Sequence, residues 1–518
     1  MTSGYAELAV TSNFSFLRGA SHPQELIETA VNYGLTAIGI ADRNSLAGVV
    51  RAHDALNQMQ RERKTGLTRL LVGARLVFDP REGGDGTPDI LAYPVDRAAY
   101  GRLSRLITTG KLRAGKGECI LNFADLLAFQ SGLLLIVMPP ARLNRQEMQQ
   151  REDVLRRLTA EAPDRVWLGA AMLHGRSSMR KLRELTALAR DMHVPLIALN
   201  DVLYHVPERR ALQDVVTCIR EHVTLDGAGK RLEVNTERHL KSPAEMLRLF
   251  RAAPEAIGET LRFAATIEFS LGQLSYHYPD EPVPAGKTPD DHLADLTWQG
   301  AAKRYASGIP DNIRALLEKE LRLIAELNIA AYFLTVHDIV RIANEKQILC
   351  QGRGSAANSA VCYALGITSV NPAEIDLLFE RFVSAERKEP PDIDVDFEHE
   401  RREEVIQDVY RRYGHDRAAL TATVITYRAR SAIREVGKVF GLTEDVTGKL
   451  ADTVWGHHGD ELEEHQVRQG ACDPANRAVE RAVFFANALM GFPRHLSQHV
   501  GGFVLTRDKL DWTVPIGP

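Results

Sequence analysis

The alternation of apolar and polar positions divides this chain into two parts of different character. In the first, short apolar runs recur at Leu8-Ala9-Val10, 37–41, Leu70-Leu71-Val72, Ile90-Leu91-Ala92, 133–137, Val166-Trp167-Leu168 and 195–199. Runs this short and uniformly apolar predict strands covered on both faces. Helical periodicity over 23–33, capped by Ser21, and over 180–192 predicts helices between strands. Repeated βα units imply an α/β layer or barrel whose site lies at the carboxyl ends of the strands, where Asp42 and Asp201 fall. Segment 81–88, half of it Gly or Pro, reads as a surface loop.

Helical patterns over 208–222, 244–252 and 255–266 close this part, and the proline-rich stretch 274–289 marks a domain boundary. Beyond it, helices are predicted over 290–305, 309–328 and 333–346. A strand over 347–351 then leads into Gly352-Arg353-Gly354-Ser355 and a helix of small residues over 356–365. The most informative alternation follows in Pro391-Asp392-Ile393-Asp394-Val395-Asp396-Phe397. On a strand this spelling puts Asp392, Asp394 and Asp396 on one face and Ile393, Val395 and Phe397 on the other.

Composition adds little. With 518 residues, two to four domains are expected. A net charge of −4 neither demands nor excludes nucleic acid, because a basic groove can sit within a neutral total. The five cysteines show no C-x-x-C pairing, which argues against a zinc ribbon or disulfide framework and for a reducing compartment. No window approaches the roughly 20 apolar residues of a membrane span, so a cytoplasmic location without membrane contact is the expectation.

Three features carry candidate chemistry. Carboxylates as close as Asp392, Asp394 and Asp396 repel unless protonated or bridged by a cation; Mg²⁺ uses one or two carboxylates together with substrate phosphates, and an acidic sheet edge is the alternative. In the second, Gly352 and Gly354 permit close backbone approach, Arg353 adds charge and Ser355 can cap a helix, a recipe for holding phosphate that a tight turn would equally explain. Arg381, Arg387 and Lys388 stand nearby, either to neutralise a triphosphate or to pair with Glu380 and Glu386. The third is a stretch read as helical, 411–438, with seven Lys/Arg against two Asp/Glu and Tyr410, Tyr413 and Tyr427 interleaved. Nucleic-acid binding through Arg428, Arg430, Arg434 and Lys438 and a solvated helix face weigh equally on the charge count.

Taken together, Gln351-Gly-Arg-Gly-Ser355, Phe379-Glu-Arg-Phe382, Pro391-Asp-Ile-Asp-Val-Asp-Phe397 and Gln498-His-Val-Gly-Gly502 resemble the bacterial C-family DNA polymerases, the replicative alpha-subunit family. Asn13-Phe-Ser-Phe-Leu-Arg-Gly-Ala-Ser21 and Arg494-His-Leu-Ser-Gln-His-Val-Gly-Gly502 look most like its error-prone, damage-tolerant branch. The resemblance implies a multidomain α/β chain. Residues 1–273 would form a PHP-like distorted α/β barrel, 274–426 a polymerase-beta-type nucleotidyltransferase palm (α+β), 427–497 a helical thumb and 498–518 a returning palm strand. By motif, Asp394 and Asp396 would hold two Mg²⁺ ions, Asp392 would be an accessory carboxylate, and Gly352, Arg353, Gly354, Ser355, Arg381 and Arg387 would bind the incoming triphosphate. The implied reaction is nucleotidyl transfer from a dNTP to a primer 3′-hydroxyl on primer–template DNA, in translesion synthesis and damage-induced mutagenesis. Other mutagenesis proteins and the sliding clamp are implied as partners through regions outside this sequence.

The sequence departs from the family pattern in two places. A third palm aspartate is expected beyond Pro518, so the chain is read as an amino-terminal part, inactive alone. In the PHP-like part Thr11 and Asn13 replace a His-rich strand end, Arg43 follows Asp42 where His is usual, and Leu203 replaces a ligand His after Asp201. Asp42, Asp201 and His174 remain, and no bound metal is expected there. The competing readings are a PHP-type metal-dependent phosphoesterase and a non-catalytic DNA-binding module.

Overall fold

The computed structural model describes residues 4–63, 68–140, 144–175, 178–374, 393–453, 462, 464–470 and 472–518. The seven apolar runs all form strands: β1 (Ala6–Val10), β2 (Ala37–Arg43), β3 (Arg69–Leu76), β4 (Ile90–Pro94), β5 (Leu133–Val137), β6 (Val166–Ala171) and β7 (Leu196–Leu199). They lie in sequence order in one sheet. Strands β1 to β3 run parallel, as do β5 to β7, whereas β4 is antiparallel to both of its neighbours. An apolar run carries no direction, so the reversal of β4 was not legible in the pattern. The sheet nearly closes on itself: Thr11 N–H donates to Val202 O at 2.9 Å and Val202 N–H to Ala9 O at 2.8 Å. This is the expected distorted α/β barrel.

Its interior explains why two strands carry glycine. A Cβ on Gly39 would stand 2.2 Å from the Tyr93 hydroxyl oxygen and one on Gly73 2.4 Å from the Tyr93 ring, so a tyrosine from β4 fills space that side chains on β2 and β3 would occupy. Its hydroxyl donates to Leu8 O, satisfying a fully buried polar atom.

The first helix, Pro23–Asn32, takes His22 and not Ser21 as its N-cap; the Glu25 carboxylate accepts from His22 N–H at 2.8 Å. Ser21 is diverted because its hydroxyl bonds His205 Nδ1 at 2.8 Å.

Contacts divide the chain into two compact units, residues 1–275 with 422–499 and 511–518, and residues 276–421 with 500–510. In the first unit, Leu212, Val215, Val216 and Ile219 of helix Arg210–Glu221 share a core with Ala432, Ile433 and Val436 of helix Ala429–Val439, and with Ala482 and Leu489 of helix Arg477–Leu489. The sequence-based division gave 427–497 a domain of its own. In the structure these helices cover an apolar stripe at i, i+3, i+4 and i+7 that helix Arg210–Glu221 would otherwise leave bare.

In the second unit, helices Pro289–Arg304, Asp311–Glu326 and Ala330–Glu345 enclose Leu293, Ile313, Leu317 and Phe333. They support β8 (Cys350–Arg353) and β9 (Asp394–Phe397), after which come β10 (Ala418–Thr426) and β11 (Pro493–Leu505). Glu281, from the proline-rich stretch, accepts from Thr335 Oγ1 at 2.8 Å and Tyr413 Oη at 2.5 Å and pairs with Arg412 at 3.0 Å. That network fixes the second unit's first residues to two of its helices. Among the described residues no single helix is long and apolar enough to cross a membrane, and the described cysteines are all free.

Candidate functional site

Strands β8 and β9 pair antiparallel, with Arg353 opposite Asp394 and Gln351 opposite Asp396. The alternation predicted from the sequence is present. Asp394 and Asp396 are exposed, whereas Ile393 and Val395 pack against the helical core and Phe397 against a smaller cluster around Ile348 and Val405. The apolar face therefore anchors the strand and aims the two carboxylates at solvent. Ile393 N–H donates to Tyr332 Oη at 3.2 Å, tying the start of the strand to helix Ala330–Glu345. Arg353 Nε pairs with Asp396 Oδ2 at 2.7 Å. That hydrogen bond, then the charges of Asp396 and Asp394, raises the pKa of the arginine above its ordinary value. Asp392, Arg381 and Arg387 lie outside the described residues, as does the Ser355 side chain.

The glycine turn is built for close approach. Gly352 N–H donates to Ile367 O at 2.6 Å, and a Cβ there would stand 2.5 Å from that same oxygen. Gly354 has φ of +62°, and a Cβ on it would meet Asp394 Oδ2 at 3.6 Å, so the turn and the first carboxylate are neighbours.

The helix expected over 356–365 starts later. Residues Gly354–Asn358 form a 3₁₀ turn, and the α-helix is Ala360–Ala364, capped by Ser359. Its first amides do not face a ligand: Ala360 N–H and Val361 N–H donate to Glu320 at 2.9 and 3.0 Å, and Ser359 Oγ donates to it at 2.8 Å. The expected helix start at Ser355 is thus corrected to Ser359, and the 3₁₀ turn is what stands beside Asp394. Glu320 was missed, although the signal was present: it interrupts the apolar stripe of Ile313, Leu317 and Ile324. Burial pushes its carboxyl up to about 7, against the hydrogen bonds that favour the charged form.

At the barrel, the polar residues that the resemblance singles out are bound to the protein itself. Asp42 is buried and accepts from Ser12 N–H at 2.8 Å and from the Ser12 and Ser15 hydroxyls at 2.7 Å. Burial raises its pKa while these bonds act the other way. Asp201 pairs with Arg75 and Arg238 at 2.7 Å each. Burial opposes its ionisation, but the two guanidiniums prevail and hold it at about 2. Thr11 is buried, with its N–H used in closing the barrel; Asn13 Nδ2 bonds His22 Nδ1 at 2.8 Å; Arg43 pairs with Glu82 at 2.6 Å; Leu203 packs into the second core. His174 is exposed, 3.7 Å from Glu237. Among the described residues no group of three or more His, Cys, Asp or Glu is arranged to hold a metal.

The basic stretch 411–438 is not one helix. Helix Arg402–Tyr413, strand β10 and helix Ala429–Val439 succeed one another, because the Thr, Val and Ile of 421–426 favour a strand that a charge count does not register. Arg428, Arg430, Arg434 and Lys438 are all exposed, the last three at i, i+4 and i+8 on one face. Arg430 pairs with Asp452 at 2.7 Å and Lys438 with Glu435 at 3.5 Å. The tyrosines serve packing: Tyr427 is buried in the second core, Tyr410 stacks on His415, and Tyr413 binds Glu281.

Residues 7–154 match the family described as the PHP domain, and residues 291–518 the family described as the bacterial DNA polymerase III alpha NTPase domain. The chain is 62% identical over 513 residues to a Rhodopseudomonas palustris (strain BisB5) protein named error-prone DNA polymerase, covering 99% of this chain and 45% of that one. Proteins of the same name from Bradyrhizobium sp. (strain ORS 278) and Bradyrhizobium diazoefficiens are 60% and 59% identical over 518 and 521 residues. These matches cover 99% and 100% of this chain, and 43% and 44% of those proteins. The chain therefore spans less than half the length of the curated relatives it matches.

Proposed function

From the premise that this chain belongs to the PHP domain family over residues 7–154 and to the bacterial DNA polymerase III alpha NTPase domain family over residues 291–518, we propose that it serves error-prone, template-directed DNA synthesis. The chemistry is nucleotidyl transfer from a dNTP to a primer 3′-hydroxyl, in damage-induced translesion synthesis. The observation that carries this reading is the pair Asp394 and Asp396, exposed on one face of β9 next to a positive-φ glycine turn.

Two exposed carboxylates beside a phosphate-accepting turn suit Mg²⁺, which takes oxygen ligands from one or two carboxylates and completes its shell with phosphate and water. Asp394 and Asp396 would hold it, and it would supply activation of the primer hydroxyl and stabilisation of the leaving oxygens. Arg353, now paired with Asp396, is placed to exchange that carboxylate for a triphosphate oxygen, a charge-assisted contact its fork geometry favours. Gly354 leaves the space in front of Asp394 open, and the buried Gly352 keeps the turn against Ile367. The protein thereby contributes position and charge, without a covalent nucleophile. Arg428, Arg430, Arg434 and Lys438 would contact the DNA backbone, and Asp392, Arg381 and Arg387 would add charge to the site. Clamp and mutagenesis-protein contacts would belong to the longer proteins of the family.

The test is a chimera in which this chain replaces the corresponding 513 residues of the 62% identical relative. Primer extension by the chimera should fall at least a thousandfold with Asp394→Asn or Asp396→Asn, while its melting temperature stays within a few degrees. Extension that survives both substitutions would refute the assignment.

A further inference from the structure

The carboxyl ends of the barrel strands enclose a cavity of about 940 Å³. It is bounded by Thr11 after β1, Arg43 at the end of β2, Val77 after β3, Met138 after β5, Leu173 after β6 and Asp201 after β7. This is where α/β barrels place their sites. Its lining holds nine Arg or Lys side chains and five Asp or Glu. The carboxylate a cation would need most, Asp201, is already neutralised by two guanidiniums, and Asp42 is wrapped by serines. The surplus is positive and gathers in two groups.

In one group, Arg18 and Arg43 share the carboxylate of Glu82, at 3.8 and 2.6 Å, Arg43 also lies 4.0 Å from Asp79, which Arg81 holds at 2.7 Å, and Arg220 stands close by with Glu221 on its Nε and the Leu17 carbonyl on Nη1, so four cations face three carboxylates. Burial first, and then the like charges of Arg43 and Arg220, depress the pKa of Arg18 to about 10, more than Glu82 and Asp89 offset. In the other, Arg151 donates to the carbonyls of Met138 and Glu147, with the Glu147 carboxylate at 3.9 Å, and Lys181 donates to Pro140 O. Carbonyl oxygens satisfy donors without cancelling charge, so both groups keep donors and field for an anion with several oxygens.

We propose that this cavity is a metal-independent binding site for a phosphate-bearing anion, gripped by Arg18, Arg43 and Arg220 on one side and by Arg151 and Lys181 on the other. The volume exceeds what a lone phosphate needs and suits a pyrophosphate or the phosphorylated end of a nucleic acid, two sources of the same chemistry. The site binds and does not cleave, because the residues that would gather metal are spent on guanidiniums and serines. It stands independently of the polymerase assignment, since none of its residues lies in the second unit.

The full chain, held in EDTA at about 0.1 M salt, is titrated calorimetrically with inorganic pyrophosphate and with a short oligonucleotide, 5′-phosphorylated or not. For pyrophosphate one binding event per chain is expected, and for the oligonucleotide a gain in affinity from its 5′-phosphate; both are weakened at least tenfold by Arg18→Gln and by Lys181→Gln and unchanged by Arg156→Gln, whose side chain pairs with Glu152 on an exposed helix. Pyrophosphate binding without oligonucleotide binding assigns the free anion; preference for the phosphorylated oligonucleotide assigns a strand end. Independently of any variant, pyrophosphate should slow hydrogen exchange around residues 11–18, 43–44 and 217–220. No binding in EDTA, binding that needs added Zn²⁺ or Mn²⁺, affinity untouched by both substitutions, or protection confined to other segments would overturn the proposal.

Discussion

Among single residues, Glu320 shows how much of a motif is decided elsewhere in the sequence. The turn around Gly354 looks in the sequence like the start of a helix, yet the helix begins six residues on, where a buried carboxylate from helix Asp311–Glu326 receives two amides and a hydroxyl. No local rule would have found it; only a charged residue standing in an apolar stripe hinted at it. The consequence is a pH dependence. With its folded pKa near 7 against 4.5 for the free side chain, Glu320 binds a proton more readily in the folded state. Its contribution to stability is complete below about pH 4.5 and is lost as pH rises through 7. At about 1.4 kcal/mol per pKa unit, the loss is on the order of 3 kcal/mol. Glu7, fully buried beneath Tyr5 Oη and two amides and also near 7, acts in the same direction. Asp201 does the reverse, contributing above pH 4 and failing toward pH 2. Chemical denaturation from pH 5 to 7.5 should show the stability gap between the wild-type chain and Glu320→Gln shrinking as pH rises. A gap that stays constant would mean that Glu320 is already ionised throughout.

At the scale of elements, legibility followed the kind of signal. The seven barrel strands were readable because burial on both faces demands uninterrupted apolar runs, and β9 because burial on one face demands alternation. Strand β10 was hidden by the charges at its two ends, and the tyrosines interleaved with the basic residues are engaged within the protein, Tyr427 in a core, Tyr410 on His415 and Tyr413 on Glu281. Removing them leaves the basic face of helix Ala429–Val439 as a purely electrostatic candidate. A face of that kind contacts phosphates without reading bases, so Arg434→Ala should weaken binding to every DNA sequence alike and lower the slope of log affinity against log salt by about 1. Arg430→Ala should do less, because its guanidinium is shared with Asp452. Affinity measured for two unrelated duplexes between 50 and 200 mM salt decides the matter; a sequence-dependent loss would assign the helix to base contact instead.

For the molecule as a whole, the chain order of motifs suggested four consecutive domains, whereas contacts assemble residues 1–275 with 422–499 and 511–518. The difference is physical. Helix Arg210–Glu221 follows the last barrel strand and carries an apolar stripe of Leu212, Val215, Val216 and Ile219, and the residues that bury it lie more than 200 positions further on. Nothing in the periodicity of either segment specifies the other. The core they share makes the barrel unit depend on its distant part. A chain ending at residue 275 would return those four side chains to water, at about 1.5–3 kcal/mol each, or on the order of 6–12 kcal/mol in total, comparable to the stability of a whole domain. The fragment 1–275 should therefore melt well below the full chain and bind a dye for exposed apolar surface. Joining 422–499 to it through a flexible linker should restore most of the loss. If the fragment alone melts as the full chain does, the stripe contributes far less than its burial implies, and the barrel is an independent domain after all.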